Sequence, residues 1–395
     1  MEKLELYIHY PFCVKKCRYC DFLSGPSDEK SRHLYIEALC REIAFLAPLY
    51  RDWVVDTVFM GGGTPSLMSA DELAQVMEQL RTFFRLASDC EITMEANPGT
   101  LDSGKAKAIA RLGINRLSLG LQSAQEKELV CLGRIHTFED FLESFRLVRG
   151  AGIQNLNVDL MSGLPGQTLE SWEDTLEKVL NLGPEHISAY SLIIEENTPF
   201  YELYGRAGTC PTIPLPDEDT ERQMYARTGK MLADRGYGRY EISNYAKKGY
   251  ECRHNVGYWR RRDYLGLGLG AASLSFGRRF ENTADLEKYM DIFSKEPSRP
   301  CDLSAGAFDL SHENIHHLTR QEAMEEFMFL GLRMCEGVNA NTFRDTFGLS
   351  MMDVFGGPVR KHCQEGLLNY IEETGQLYLT ERGIDLSNYV LCDFV

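Results

Sequence analysis

Leu4-Glu-Leu-Tyr-Ile-His9-Tyr-Pro-Phe-Cys13-Val-Lys-Lys-Cys17-Arg-Tyr-Cys20 is a short apolar run that leads straight into three cysteines. The run from Leu4 to His9 is bounded by a proline and rich in strand formers, so it reads as a β-strand. A Cys-x3-Cys-x2-Cys loop can hold three irons of a cubane and leave the fourth iron without a protein ligand. Electron-transfer ferredoxins use four cysteines for each [4Fe-4S] cluster, so the open iron sets this loop apart. The amino and carboxylate groups of S-adenosylmethionine can chelate that iron. One electron from the reduced cluster then splits the sulfonium C–S bond and yields a 5′-deoxyadenosyl radical, while the protein positions the cofactor and limits side reactions. Cys13, Cys17 and Cys20 are the candidate metal ligands. The competing zinc reading needs four protein ligands, and no Cys or His pair at zinc spacing follows nearby.

Outward from this loop, strand-type runs recur at Thr57–Met60, Glu91–Glu95, Arg116–Gln122, Asn155–Met161 and His186–Leu192. Amphipathic stretches lie between them, at Tyr35–Leu46, Ala70–Phe84, Ser103–Leu112, Thr137–Ala151 and Thr168–Leu180. Such alternation predicts an α/β protein with a parallel sheet, either a barrel or a doubly wound sheet. In a barrel the carboxyl ends of the strands hold the chemistry. The proline-dense Pro211–Pro216 reads as a linker, Asp217–Arg235 as a helix, and Gly236–Gly277 as an aromatic, glycine-rich region. Residues 294–317 read as a loose connection. Beyond it come helix-type runs at Arg320–Met334, Ala340–Phe347 and Met351–Glu365, then strand-type runs at Leu367–Glu372 and Gln376–Leu379, an order that resembles a winged helix. The expected division is 1–215 for the barrel, 216–305 for an extension and 306–395 for the C-terminal module.

The net charge of −16 over 395 residues disfavours nucleic acid as the main partner. The twelve cysteines are too sparse for a secreted disulfide scaffold. The N-terminus lacks the pattern of a signal peptide, and no run approaches the length of a membrane span. The expectation is a soluble protein of a reducing compartment, the cytoplasm.

Gly61-Gly-Gly-Thr-Pro65 ends the second strand, where small residues let backbone approach a ligand closely. Glu95 ends the third strand and Gln122 the fourth; Asp159 lies in the fifth, and Arg134 follows the fourth by twelve residues. Carboxylates suit ammonium and hydroxyl donors, and a guanidinium suits a carboxylate. As a set, these groups fit a ligand carrying an ammonium, a carboxylate and ribose hydroxyls. Singly, each is more often a solvated or paired charge.

Tyr7-Ile-His-Tyr-Pro-Phe-Cys13 through Phe22, with Gly61–Pro65, Met94-Glu-Ala-Asn-Pro98, Gly120-Leu-Gln122 and Val158–Gln167, resembles the coproporphyrinogen-dehydrogenase-like branch of the radical S-adenosylmethionine (SAM) superfamily. The resemblance covers nearly the whole chain. It implies a partial (β/α)6 TIM-like barrel with a C-terminal α+β winged-helix-like domain. It also implies a [4Fe-4S] cluster on Cys13, Cys17 and Cys20, and contacts to SAM from Tyr7, Gly62, Gly63, Thr64, Glu95, Gln122, Arg134 and Asp159, with Tyr19 at the aromatic position before the third cysteine. Oxygen-independent coproporphyrinogen III oxidases continue their motif with a fourth cysteine, where this chain has Phe22. In that respect it is similar to the HemW-type heme chaperones. His254-Asn-Val-Gly-Tyr258-Trp259 matches their His-Asn-x-x-Tyr-Trp motif, which is linked to heme binding. The resemblance therefore implies heme or porphyrin as ligand, a hemoprotein acceptor, and an electron donor such as flavodoxin or ferredoxin. From spacing alone, His254 reads as capping a turn while Tyr258 and Trp259 fill core. Where many chaperone relatives carry histidine, this chain has Ala272, two residues past a Gly266–Gly270 stretch that reads as tight backbone packing.

Two further functions compete. One is an anaerobic radical enzyme acting on a porphyrin or porphyrinogen, or a related methyltransferase. The other is a zinc peptidase using His312-Glu-Asn-Ile-His316, which lacks a surrounding helix and a metzincin continuation. Cysteines 40, 90, 131, 210, 301, 335, 363 and 392 read as buried small apolar residues.

Overall fold

The computed structural model describes residues 2–205, 212–294 and 312–395. Six strands, β1 (Lys3–Tyr10), β2 (Val54–Gly62), β3 (Leu86–Ala96), β4 (Arg116–Gln122), β5 (Asn155–Ser162) and β6 (His186–Ser191), lie side by side in chain order, all parallel. A doubly wound sheet reverses its strand order at a switch point. This one does not, which settles the choice between barrel and open wound sheet. Helices α1 (Glu29–Leu46), α2 (Ala70–Phe83), α3 (Ser103–Arg111), α4 (Glu126–Leu132), α5 (Phe138–Gly150) and α6 (Leu169–Leu182) connect the strands.

Alternation along each strand sorts the side chains. Leu6 and Ile8, Val58 and Met60, Leu117 and Leu119, Val158 and Leu160 are buried in the main core with apolar residues of the helices. The alternate positions carry Glu5, Tyr7 and His9, Thr57 and Phe59, Glu91, Thr93 and Glu95, Arg116 and Ser118, Asn157 and Asp159. Period-two patterning thus puts the chemistry-bearing groups on the face away from the helices.

The sheet continues past both ends of the six strands. After α7 (Pro199–Tyr204) and α8 (Glu218–Asp234) come β7 (Gly238–Arg239) and β8 (Asn244–Ala246), which extend the edge beside β6. Next, α9 (Arg253–Trp259) leads into β9 (Tyr264–Leu267), which pairs parallel with β1. Antiparallel strands β10 (Ala272–Ser275), β11 (Arg278–Asn282) and β12 (His312–His317) complete that edge, with α10 (Leu286–Ile292) before the last. These short pieces were not expected from sequence, nor was α4. His312–His317 is a strand paired with β11 rather than part of a loose connection. Residues 295–311 of that connection, with the 305/306 boundary and Cys301, and also Cys210 and Pro211, lie outside the described residues. Within Gly266–Gly270, a Cβ on Gly268 would sit 2.5 Å from the His9 carbonyl oxygen, so β9 meets β1 backbone to backbone.

One apolar core runs from Leu4 to Phe293, and a second from Met324 to Phe394. The second belongs to a helix at Arg320–Gly331, a strand at Val338–Asn339, helices at Ala340–Phe347 and Met351–Gln364, and strands at Leu368–Ile371 and Gln376–Leu379. Its small antiparallel sheet packs with the three helices in winged-helix order. Thr319 and Glu322 form a capping box at the start of the first helix.

Candidate cofactor cavity

The loop after β1 is held from three sides. The Cys13 amide donates to the Gly25 carbonyl, the Arg18 amide to the Leu132 carbonyl, and the Phe200 amide to the Arg18 carbonyl. The glycine run at the end of β2 lies directly against it. Gly63 N–H donates to Tyr10 O and Thr64 N–H to Phe12 O, at 2.7 and 2.8 Å. A Cβ on Gly63 would meet the Phe12 carbonyl oxygen at 2.5 Å, and Gly62 has φ +106°. The glycines therefore let the cysteine loop dock closely.

Between this loop and the strand ends lies a cavity of about 260 Å³. Cys13, Cys17 and Cys20 border it on one side; Glu95, Gln122, Arg134 and Asp159 border it from the strands, with Gly62, Gly63 and Thr64 between. Tyr19 closes the wall near the cysteines. The sequence thus brings together the predicted ligands of the cluster and all but one of the predicted SAM contacts. Tyr7 is the exception: it sits one layer down the barrel, its hydroxyl 3.0 Å from His9 Nδ1.

Each polar group is oriented. The Arg134 guanidinium donates to Asn97 Oδ1 at 2.8 Å and to the Tyr19 hydroxyl at 2.6 Å. Its Nε is buried without an acceptor among the described residues. Glu95 accepts the Gly62 amide at 3.2 Å, yet burial, with the neighbouring Asp159 charge, pushes its carboxyl up to about 8. Asp159 accepts from Ser118 Oγ at 2.7 Å and Asn157 Nδ2 at 2.8 Å. Gln122 holds φ +70° beside a register shift between β4 and β5, a break that re-aims the strand end. Burial raises the thiols of Cys13 and Cys20. Phe22 is exposed at the mouth of the cavity.

Sequence reasoning missed Asn97, Ser118, Met161 and Tyr190, which also border the cavity. Asn97 could have been found, since it stands two residues beyond Glu95 and so on the same face; its amide also donates to Thr64 Oγ1 at 2.8 Å.

The second motif lies at the opposite end of the barrel. His254 is buried, with Nδ1 2.7 Å from Thr57 Oγ1 and Nε2 3.0 Å from the Tyr258 hydroxyl. Phe59 stacks on its ring at 5.2 Å, and Tyr7 stacks on Phe59 at 6.3 Å. Burial, and then the Arg116 charge, lowers the His254 imidazole to about 3. Trp259 is half-buried and faces the C-terminal module, with the Arg333 guanidinium 4.5 Å from its ring centre.

The peptidase motif is on strand β12: His316 contacts Glu322 at 2.7 Å, while the buried His312 meets the Phe280 ring. Cys40 and Cys90 are buried as expected; Cys131, Cys335 and Cys363 are only half-buried, and Cys392 is exposed because the chain's last turn leaves it on the surface.

The sequence pattern of the Radical SAM superfamily matches residues 7–179, and that of the HemN C-terminal domain matches residues 318–386. The protein named heme chaperone HemW from Bacillus subtilis is 35% identical over 98% of both chains. Its Escherichia coli namesake is 42% identical over 85% of this chain and 88% of its own. The solved coproporphyrinogen III oxidase (HemN) from Escherichia coli superposes with a TM-score of 0.82 at 23% identity, covering 100% of this chain and 90% of that one. This last likeness establishes the fold.

Proposed function

The chain belongs to the heme chaperone HemW family of radical SAM proteins, and from that premise we propose that it binds heme and delivers it to acceptor proteins. The observation that carries the reading is near full-length similarity to proteins bearing that name, joined to Phe22 where the oxidases carry a further cysteine. Cys13, Cys17 and Cys20 would hold a [4Fe-4S] cluster, and Glu95, Gln122, Arg134 and Asp159 would hold SAM. The fit rests on three thiols facing one carboxyl-, amide- and guanidinium-lined cavity, with a buried Arg134 Nε in need of an acceptor. When bound, the pair supplies one-electron reductive chemistry.

The chain's own groups prepare the ground for that pair. Arg134, fixed by Asn97 and Tyr19, offers a cation to a carboxylate. Asp159, fixed by Ser118 and Asn157, offers acceptors to hydroxyls or an ammonium. Glu95, pushed by burial up to about 8, regains its charge when a cation comes near. A hemoprotein acceptor, a flavodoxin or ferredoxin as electron donor, and a cytoplasmic location belong to the same proposal. None of the helices among the described residues is long and apolar enough to cross a membrane.

The test is anaerobic reconstitution with iron and sulfide, followed in one preparation by hemin titration and a product assay with coproporphyrinogen III. The expected result is an iron–sulfur chromophore, a Soret shift on adding hemin, and no conversion of the porphyrinogen. Conversion, or absence of hemin binding, would refute the reading.

A further inference from the structure

Where the barrel meets the C-terminal module, two hollows adjoin. The first, about 520 Å³, is walled mostly by apolar groups, among them Trp259, Phe327, Met334, Val338 and Tyr378. The second, about 580 Å³, presents Lys3, Arg239, Arg253, Arg260 and Arg262. Arg260, Met334, Cys335 and Glu336 border both, so the two make one amphipathic cleft. Both volumes fall in the range of small-molecule sites.

Charge in the second hollow is unbalanced. Asp56 pairs with Lys3, Arg253 and Arg262 at 3.0, 2.8 and 3.2 Å, and Glu336 pairs with Arg260 at 2.7 Å. Asp89 also pairs with Arg253, at 3.4 Å, and Glu5 lies 3.8 Å from Arg262; on the wall itself Glu251 is the third carboxylate, against five cations. Arg239 donates to a neutral partner, the Tyr225 hydroxyl, at 3.0 Å. This local excess of positive charge occurs in a chain of net charge −16. On the apolar side, the Trp259 indole N–H is buried and lacks an acceptor among the described residues.

A flat apolar ligand edged with carboxylates is complementary to both halves, through aromatic contact on one side and charge-assisted hydrogen bonds on the other. We propose that this cleft is where heme binds, with the macrocycle against Trp259 and Tyr378 and the propionates reaching past Arg260 toward Arg239. The inference rests on the heme-chaperone reading and adds its location. It also gives the His-Asn-x-x-Tyr-Trp motif two parts: His254 and Tyr258 anchor helix α9 inside the barrel, and Trp259 faces the ligand.

The test titrates reconstituted full-length protein with hemin, read by the Soret band and by tryptophan fluorescence. Thr342 is exposed on the wall of the apolar hollow, so Thr342→Trp adds bulk there without entering the core. This variant should weaken hemin about tenfold or more, and so should the double variant Arg239→Gln with Arg260→Gln. Hemin dimethyl ester, which lacks the carboxylates, should bind the unaltered protein about tenfold more weakly than hemin. Circular dichroism and the cluster chromophore should not change in either variant. If the unaltered protein binds hemin and both variants bind it within about twofold of that affinity, the cleft is not the site while the chaperone reading stands. If the unaltered protein binds no hemin, both proposals fall.

Discussion

At the scale of single residues, the cavity and the floor of the barrel obey different rules. Cys20→Ala should abolish the EPR signal of the reduced, reconstituted cluster, because two remaining thiolates cannot hold three irons. Arg134→Lys should weaken SAM binding by about tenfold, measured by equilibrium dialysis, since a lysine cannot replace a guanidinium that spans Asn97 and Tyr19. At the floor, burial holds His254 neutral down to about pH 3, against an ordinary value of 6.5. Its contribution to stability is therefore complete above pH 6.5 and lost as pH falls toward 3. Between pH 7 and 5 this residue alone should cost about 2 kcal/mol. Glu5, pushed by burial up to about 9, works the other way, because its ionisation penalty is absent below 4.5 and grows as pH rises toward 9. The His254 effect is thus read by difference. Urea midpoints of His254→Asn should be lower than those of the unaltered chain at pH 7, and the gap should narrow at pH 5. The cavity residues were readable from sequence because they are polar groups at the ends of apolar runs. The surroundings of His254 were not, since its partners Thr57 and Tyr258 lie 197 and 4 residues away and only folding joins the first to it.

At the scale of elements, helix α9 docks without clearance. A Cβ on Gly257 would fall 1.7 Å from Glu5 Oε1. Gly257→Ala should therefore cost about 3 kcal/mol or more, seen as a lower thermal midpoint, since overpacking there must displace a buried carboxyl. Thr319→Ala removes one half of the capping box and should cost about 1 kcal/mol, measured in the same way. The six parallel strands and their long helices were legible because their apolar periodicity runs for whole elements. Strands β7 to β11 were not, being two to five residues long and shaped by edge pairing rather than by their own pattern. The strand at His312–His317 was hidden for the same reason: its polar sequence HENIHH suits an edge that needs only a partner.

At the scale of the whole molecule, the two cores are joined by ions as well as by packing. Glu326, buried in the C-terminal module, accepts from Arg261 and Arg279 of the barrel, each at 2.6 Å. Glu326→Ala should leave the cavity intact but loosen this joint, at a cost of about 2 kcal/mol once the partial exposure of both arginines is considered. Hydrogen exchange should quicken in the helix Arg320–Gly331 and in α9 before it does in β1 to β6. The tier of rings from His254 through Phe59 to Tyr7 has an effect that outlasts any single contact. Like a keel, it runs from the base of the barrel to the layer just beneath the berth. The signature's histidine thus ballasts the vessel from within, while its tryptophan, at the far end of the same helix, is left at the rail.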